Sequence, residues 1–160
     1  MIFLGIDPGT AAMGYAVVEQ DDKSKLTLIK ADTIATPSTK VMQDRLSMLF
    51  DALNKVTKEF SPKCMVIEKL FFNTNVKTAM TVGQARGVAL LVASKKKMDV
   101  HEYTALEAKK VLTGYGRADK KEMQHAVREI MGLDTIVKVD DANDAVAMVL
   151  CHIHKVRIIV

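Results

Sequence analysis

Along the first 35 residues the apolar positions fall in short blocks, not in helical steps. Residues 2–7 form a compact apolar run closed by Asp7, which predicts a buried strand. Residues 12–20, around Tyr15-Ala16-Val17-Val18, predict a second strand, and Asp21-Asp22-Lys23 predicts a turn into a third over 25–35. Three consecutive strands with short turns point to an antiparallel meander. The period then changes. Met42, Leu46, Leu49, Leu53, Val56 and Phe60 recur at steps of three and four, the stripe of an amphipathic helix, and Pro62 ends it. Cys64-Met65-Val66-Ile67 predicts a fourth strand ending at Glu68. A long helix is expected over 75–96 and a fifth strand over 98–103.

Three helices follow. Thr104 with Glu107, and Asp119 with Glu122, have the spacing of capping boxes, in which a short polar side chain and an acid three residues on satisfy the first amides of a helix. Gly114-Tyr115-Gly116 breaks the chain between those two helices, and a last helix starts near Asp141. The order β-β-β-α-β-α-β-α-α-α predicts an α/β fold: a mixed five-stranded sheet flanked by helices on both faces. No linker, repeat or low-complexity tract interrupts it, so residues 1–160 are expected to form a single domain.

Composition adds little to this picture but excludes several classes. Apolar residues make up 49% and charged residues 26% of the 160 positions, a globular balance. No apolar run approaches the roughly 18 residues of a membrane span. The apolar start lacks a basic leader and meets Asp7, so it is expected to be a strand and not a signal peptide. Cys64 and Cys151 sit in apolar runs and read as small buried hydrophobes of a reducing compartment, which makes the cytoplasm the expected location. Lys and Arg number 23 against 19 Asp and Glu, a net charge of +4. A modest basic excess around an acidic pocket suits a polyanionic substrate.

The acidic pocket is predicted from four residues. Asp7 and Glu68 end apolar strands, where α/β folds place their sites. Asp141 and Asp144 are three apart at a helix start, so both face one way. A carboxylate at the end of an apolar strand is costly unless its charge is compensated, and a hard divalent cation would do that. Each residue alone also has a plainer reading: Asp141 as a helix cap, Asp144 as a capping acid, Asp7 as the first residue of a turn, Glu68 as a solvated strand end. The argument for a metal nuclease rests on the set.

The same residues lie in motifs that resemble a known family. Gly5-Ile6-Asp7-Pro8-Gly9-Thr10 followed by Gly14-Tyr15, then Ile67-Glu68-Lys69-Leu70-Phe71, Gly83-Gln84-Ala85-Arg86-Gly87-Val88-Ala89 and Asp141-Ala142-Asn143-Asp144-Ala145 are similar in order and spacing to the RuvC Holliday-junction resolvases. The resemblance implies an RNase H-like fold. It also implies a homodimer that nicks two opposed strands of a four-way DNA junction in recombination and repair, using Mg²⁺ or Mn²⁺, two ions per site, beside a branch-migration helicase. Asp7, Glu68, Asp141 and Asp144 would be the metal ligands. Lys109 and Lys120 would lie near the scissile phosphate, and Phe71 would stack on a junction base, with the neighbouring Phe72 duplicating it. Arg86 is a further candidate DNA contact. Asp140 is an additional acid; Asp141 is preferred because it keeps the three-residue spacing to Asp144.

Three rivals remain open at this level. Asp7-Pro8-Gly9-Thr10 also resembles the phosphate loop of actin-like and sugar-kinase phosphotransferases, but no second such loop is present. A catalytically silent junction binder and an RNA-directed nuclease are the others. Gly83 and Gly87, one helical turn apart, fit close packing either on the protein's own sheet or against a second copy. Cys151-His152-Ile153-His154 has metal-ligand residue types, but on a helix these side chains point apart, so zinc is not expected there.

Overall fold

The computed structural model describes residues 1–69 and 76–158, with side chains given for the helix that opens at Val76 only from residue 78 and for the last helix only to residue 156. Five strands, β1 (Ile2–Asp7), β2 (Ala12–Gln20), β3 (Leu26–Ala35), β4 (Cys64–Glu68) and β5 (Asp99–Tyr103), form one sheet in the order β3-β2-β1-β4-β5. The meander is present: β1, β2 and β3 pair antiparallel, while β4 and β5 add in parallel to β1. The helices are α1 (Met42–Phe60), α2 (Val76–Lys95), α3 (Ala105–Thr113), α4 (Lys120–Met131) and α5 (Asp140–Ile158).

Local chemistry sets the joints. The Asp21 carboxylate accepts from the Lys23 and Lys25 amides at 2.9 and 2.8 Å, closing the β2–β3 turn. Ser61 adopts a left-handed conformation, φ 50°, that stops α1 ahead of Pro62. Both predicted capping boxes form: Thr104 with Glu107 opens α3, and Asp119 with Glu122 opens α4. Gly114 and Gly132, with φ of 86° and 62°, end those two helices.

Strand alternation divides the core between two faces. Leu4, Ile6, Tyr15, Val17, Met65 and Ile67 pack under α1 and α2, meeting Leu49, Leu53, Ala85 and Ala89. Phe3, Ala16, Val18, Cys64 and Val66 face the other layer, built from α3, α4 and α5. α5 crosses β1 and β2 centrally and is apolar along nearly all of Ala145–Cys151.

Candidate active site

The face on which each acid emerges follows from strand parity. Phe3 and Cys64 point toward α5, so Gly5 and Asp7 on β1, and Val66 and Glu68 on β4, point there too. Ile6 is the register partner of Ile67, which sets Asp7 and Glu68 side by side at the C-terminal ends of parallel neighbours. Asp7 also pairs across the sheet with Gly14. A Cβ on Gly14 would collide with the Asp141 carbonyl, and a Cβ on Gly5 with the Ala145 carbonyl. The two glycines therefore let the backbone of α5 lie directly on β1 and β2. That contact delivers Asp141 beside Asp7. The helix begins at Asp140, so Asp141 lies within its first turn and is not the cap residue.

The four carboxyl groups act on one another. Asp7 shares a hydrogen bond with Glu68, and the Asp7 pKa is pushed up to about 8, first by burial, then by the charges of Glu68 and Asp141. Glu68 is also raised, chiefly by burial, with the hydrogen bond from Asp7 working against the shift. The hydrogen bond between them raises Asp7 and lowers Glu68, which makes Asp7 the donor and Glu68 the acceptor. Asp144 is raised to about 6 by desolvation, then by Asp7, Asp140 and Asp141, with Lys120 opposing. Solvent reaches Asp144, but the wall of the pocket strips enough water from its carboxyl to make desolvation the leading cause.

Basic residues line the same concavity. A cavity of about 180 Å³ is bounded by Glu68 and Asp144 and by Lys109 and Lys120, with Ala108, Met123 and Met148 as an apolar floor. The α3 and α4 capping boxes fix the helices that carry the two lysines. The Lys120 ammonium donates to Asp140 at 2.6 Å, and the Gln124 amide donates to the other Asp140 oxygen at 3.2 Å. Asp140 thereby holds Lys120 at the rim. Nothing in the sequence marks Asp140 or Gln124 for this role, because the contacts span 20 and 16 residues with no periodic signal between them.

The remaining candidates fall elsewhere. Arg86 forms an ion pair with Glu102 of β5, joining α2 to the sheet edge. The partner of Glu102 in the β4 register is Ile67, which faces α1 and α2, so Arg86 belongs to the layer opposite the carboxylates. Phe71 and Phe72 lie outside the described residues. Asn143 is buried with its Oδ1 lacking a hydrogen-bond partner among the described residues. Among those residues no helix is long and apolar enough to cross a membrane.

The chain is similar to known proteins over nearly its whole length. The family model described as crossover junction endodeoxyribonuclease RuvC matches residues 3–152. Proteins of that name from Rubrobacter xylanophilus and Finegoldia magna are 48% and 46% identical to the chain. They cover 94% and 96% of it, over 84% and 93% of their own lengths. Among solved structures, Thermus thermophilus RuvC in complex with Holliday junction substrate superposes with a TM-score of 0.92 at 29% identity, covering 99% of this chain and 96% of that one. The yeast mitochondrial Holliday junction resolvase, TM-score 0.66 at 16% identity over 95% of this chain and 78% of its own, shares the fold.

Proposed function

The chain belongs to the crossover junction endodeoxyribonuclease RuvC family, and from that premise we propose how its own residues resolve a Holliday junction. It is an endodeoxyribonuclease, which sets aside both the phosphotransferase and the silent-binder readings. Asp7, Glu68, Asp141 and Asp144 are the residues that would hold Mg²⁺ or Mn²⁺, two ions per site. The donor set fits such ions: every candidate ligand is a carboxylate oxygen, the hard donor these cations prefer. The observation that carries the reading is the half-buried, hydrogen-bonded Asp7–Glu68 pair, two carboxyl groups whose charges call for a positive partner. When bound, the ions supply Lewis acidity for water attack on the phosphodiester and for departure of the 3′ oxygen.

The protein's own groups do the rest. Asp7 gives up the proton it shares with Glu68 so that both carboxylates can act as ligands. Lys109 and Lys120, at the cavity rim, bind the scissile phosphate and balance charge that builds on it. Asp140 and Gln124 orient that approach through Lys120. Phe71, with Phe72 beside it in sequence, is the candidate ring for stacking on a junction base, an interaction worth about 1–3 kcal/mol per base. Arg86 would add to DNA binding only by leaving Glu102. Paired nicks in opposed strands require two sites related by a two-fold axis, hence a homodimer. A branch-migration helicase in the cytoplasm is the expected working partner.

The test is a labelled synthetic four-way junction incubated with the protein, with and without Mg²⁺. Wild type should nick only with the metal. Asp7→Asn, Glu68→Gln, Asp141→Asn and Asp144→Asn should each lower the rate by orders of magnitude, since each removes part of a stabilisation worth several kcal/mol. Junction binding should survive, because affinity comes mainly from basic residues. Any one of these variants cutting at the wild-type rate would remove that residue from the site. Structured RNA cut as fast as the junction would overturn the substrate assignment.

A further inference from the structure

β4 and α5 each carry a nuclease carboxylate at one end and a different kind of ligand at the other. Cys64 opens β4 and Glu68 closes it. His152 lies eight residues beyond Asp144, roughly 12 Å further along the helix axis. On β5, His101 is the register partner of Val66 and points to the same α5 face. Ligand atoms of Cys64, His101 and His152 all lie within 4.8 Å of one another. The imidazoles of His101 and His152 have centroids 4.2 Å apart. Cys64 and His152 are buried, and His101 is exposed.

From this geometry we propose that Cys64, His101 and His152 form a second metal site, for a soft or borderline ion such as Zn²⁺ or Cu⁺, separate from the carboxylate site. Thiolate with imidazole is the donor set such ions select over Mg²⁺. Ligands of a tetrahedral zinc sit roughly 3.5 Å apart given bond lengths of about 2.0–2.3 Å. The exposed His101 ring is the group able to turn and close the remaining gap. His152 is already oriented for the role: its Nδ1 lies 3.0 Å from the Tyr103 hydroxyl. An Nδ1–H donating to that oxygen leaves Nε2 as the ligand atom, the arrangement that outer partners impose on metal-binding histidines. A cavity of about 320 Å³, lined by Phe3, Gln20, His101 and His152 among others, opens onto the cluster. It provides the entry path and room for a water as fourth ligand. Binding breaks the Cys64 S–H bond, forms a metal–sulfur bond, and releases the proton to solvent. The ion would tie β4, β5 and α5 together at the end remote from the nuclease acids.

Co²⁺ titration of the full chain in excess Mg²⁺ tests this, because thiolate–Co²⁺ charge-transfer absorption reports sulfur ligation and the all-oxygen nuclease site cannot produce it. The expected result is one equivalent of that absorption in wild type, displaced by Zn²⁺. It should vanish in Cys64→Ser, weaken at least tenfold in affinity in His101→Ala, and persist in Cys151→Ala and Asp7→Asn. Tyr103→Phe should weaken binding about 10–100-fold, the usual effect of losing an outer partner. The exposed His101 variant decides the matter if the buried Cys64 variant does not fold. No absorption in wild type, unchanged affinity in His101→Ala, or loss in Cys151→Ala would overturn the site.

Discussion

A single proton between Asp7 and Glu68 has a measurable consequence for stability. Asp7 titrates at about 8 in the folded chain against 3.8 for a free side chain. A raised carboxylate pKa means that the folded state keeps a proton which the unfolded state releases. The stabilisation is complete below 3.8 and is lost as pH rises through about 8. Without metal, the melting temperature should therefore fall across that window. Asp7→Asn cannot ionise, so its decline should be flatter, and near pH 8 it should melt above wild type while losing nicking activity. Mg²⁺ should raise the wild-type melting temperature more at the upper end of the window than at the lower end. Parallel melting profiles for wild type and Asp7→Asn would show that Asp7 is not the group responsible. Such an exchange of stability for function is expected where charges are gathered for catalysis.

At the scale of elements, α5 is the piece that assembles the site, and Gly14 is what admits it. Gly14→Ala places a methyl group against the Asp141 carbonyl, so α5 must shift away from β2. The variant should lose nicking strongly while retaining junction binding, with a lower melting temperature; an unaffected rate would mean the α5 contact tolerates the displacement. The α3 and α4 lysines make a second element-level prediction. Lys109→Ala and Lys120→Ala should each reduce the slope of log affinity against log salt by about 0.9 if each lysine neutralises one phosphate. Asp140→Asn frees Lys120 from one of its orienting partners and should slow nicking only mildly, far less than loss of any of the four carboxylates. Its effect on junction binding should be small, because an exposed ion pair contributes little. Unchanged salt slopes in both lysine variants would make them ordinary solvated side chains.

For the whole molecule, the outer side of α2 is the candidate contact for a second copy of the chain. Sequence spacing left Gly83 and Gly87 open between packing on the protein's own sheet and contact with another copy. Within the chain it is Ala85, Ala89, Val92 and Ala93 that meet the sheet. Among the described residues, a Cβ at Gly83 or Gly87 meets nothing within 4 Å. Met80 and Leu91 stand exposed on the same helix, at 64% and 50%. Gly83→Leu should therefore fold with unchanged circular dichroism, helped by the better helix propensity of leucine. If this face forms the homodimer, the variant should sediment as a 17.6 kDa monomer where wild type sediments as a dimer. A wild-type monomer on junction DNA as well as in solution would refute the paired-nick arrangement.

Much of this protein was legible from its chain of residues alone. Element order, the mixed sheet, the break at Pro62 and both capping boxes were readable because burial and capping are local constraints. A strand or helix must bury one face, and the period of apolar residues records which. Asp7, Glu68, Asp141 and Asp144 stood out for the same reason, as charges at the ends of apolar elements, and their motifs supplied the family. What only the tertiary structure decided are the encounters between distant residues: the proton shared by Asp7 and Glu68, the seat of α5 on Gly5 and Gly14, and Asp140 on Lys120. Arg86 went to Glu102 and not toward the carboxylates. His152 was read against its helical neighbours Cys151 and His154, whereas its partners are His101 and Cys64, 51 and 88 positions away in the chain. Strand order and helix seating create those neighbours, and neither leaves a periodic trace, because each is fixed by how whole faces pack and not by which single positions are buried.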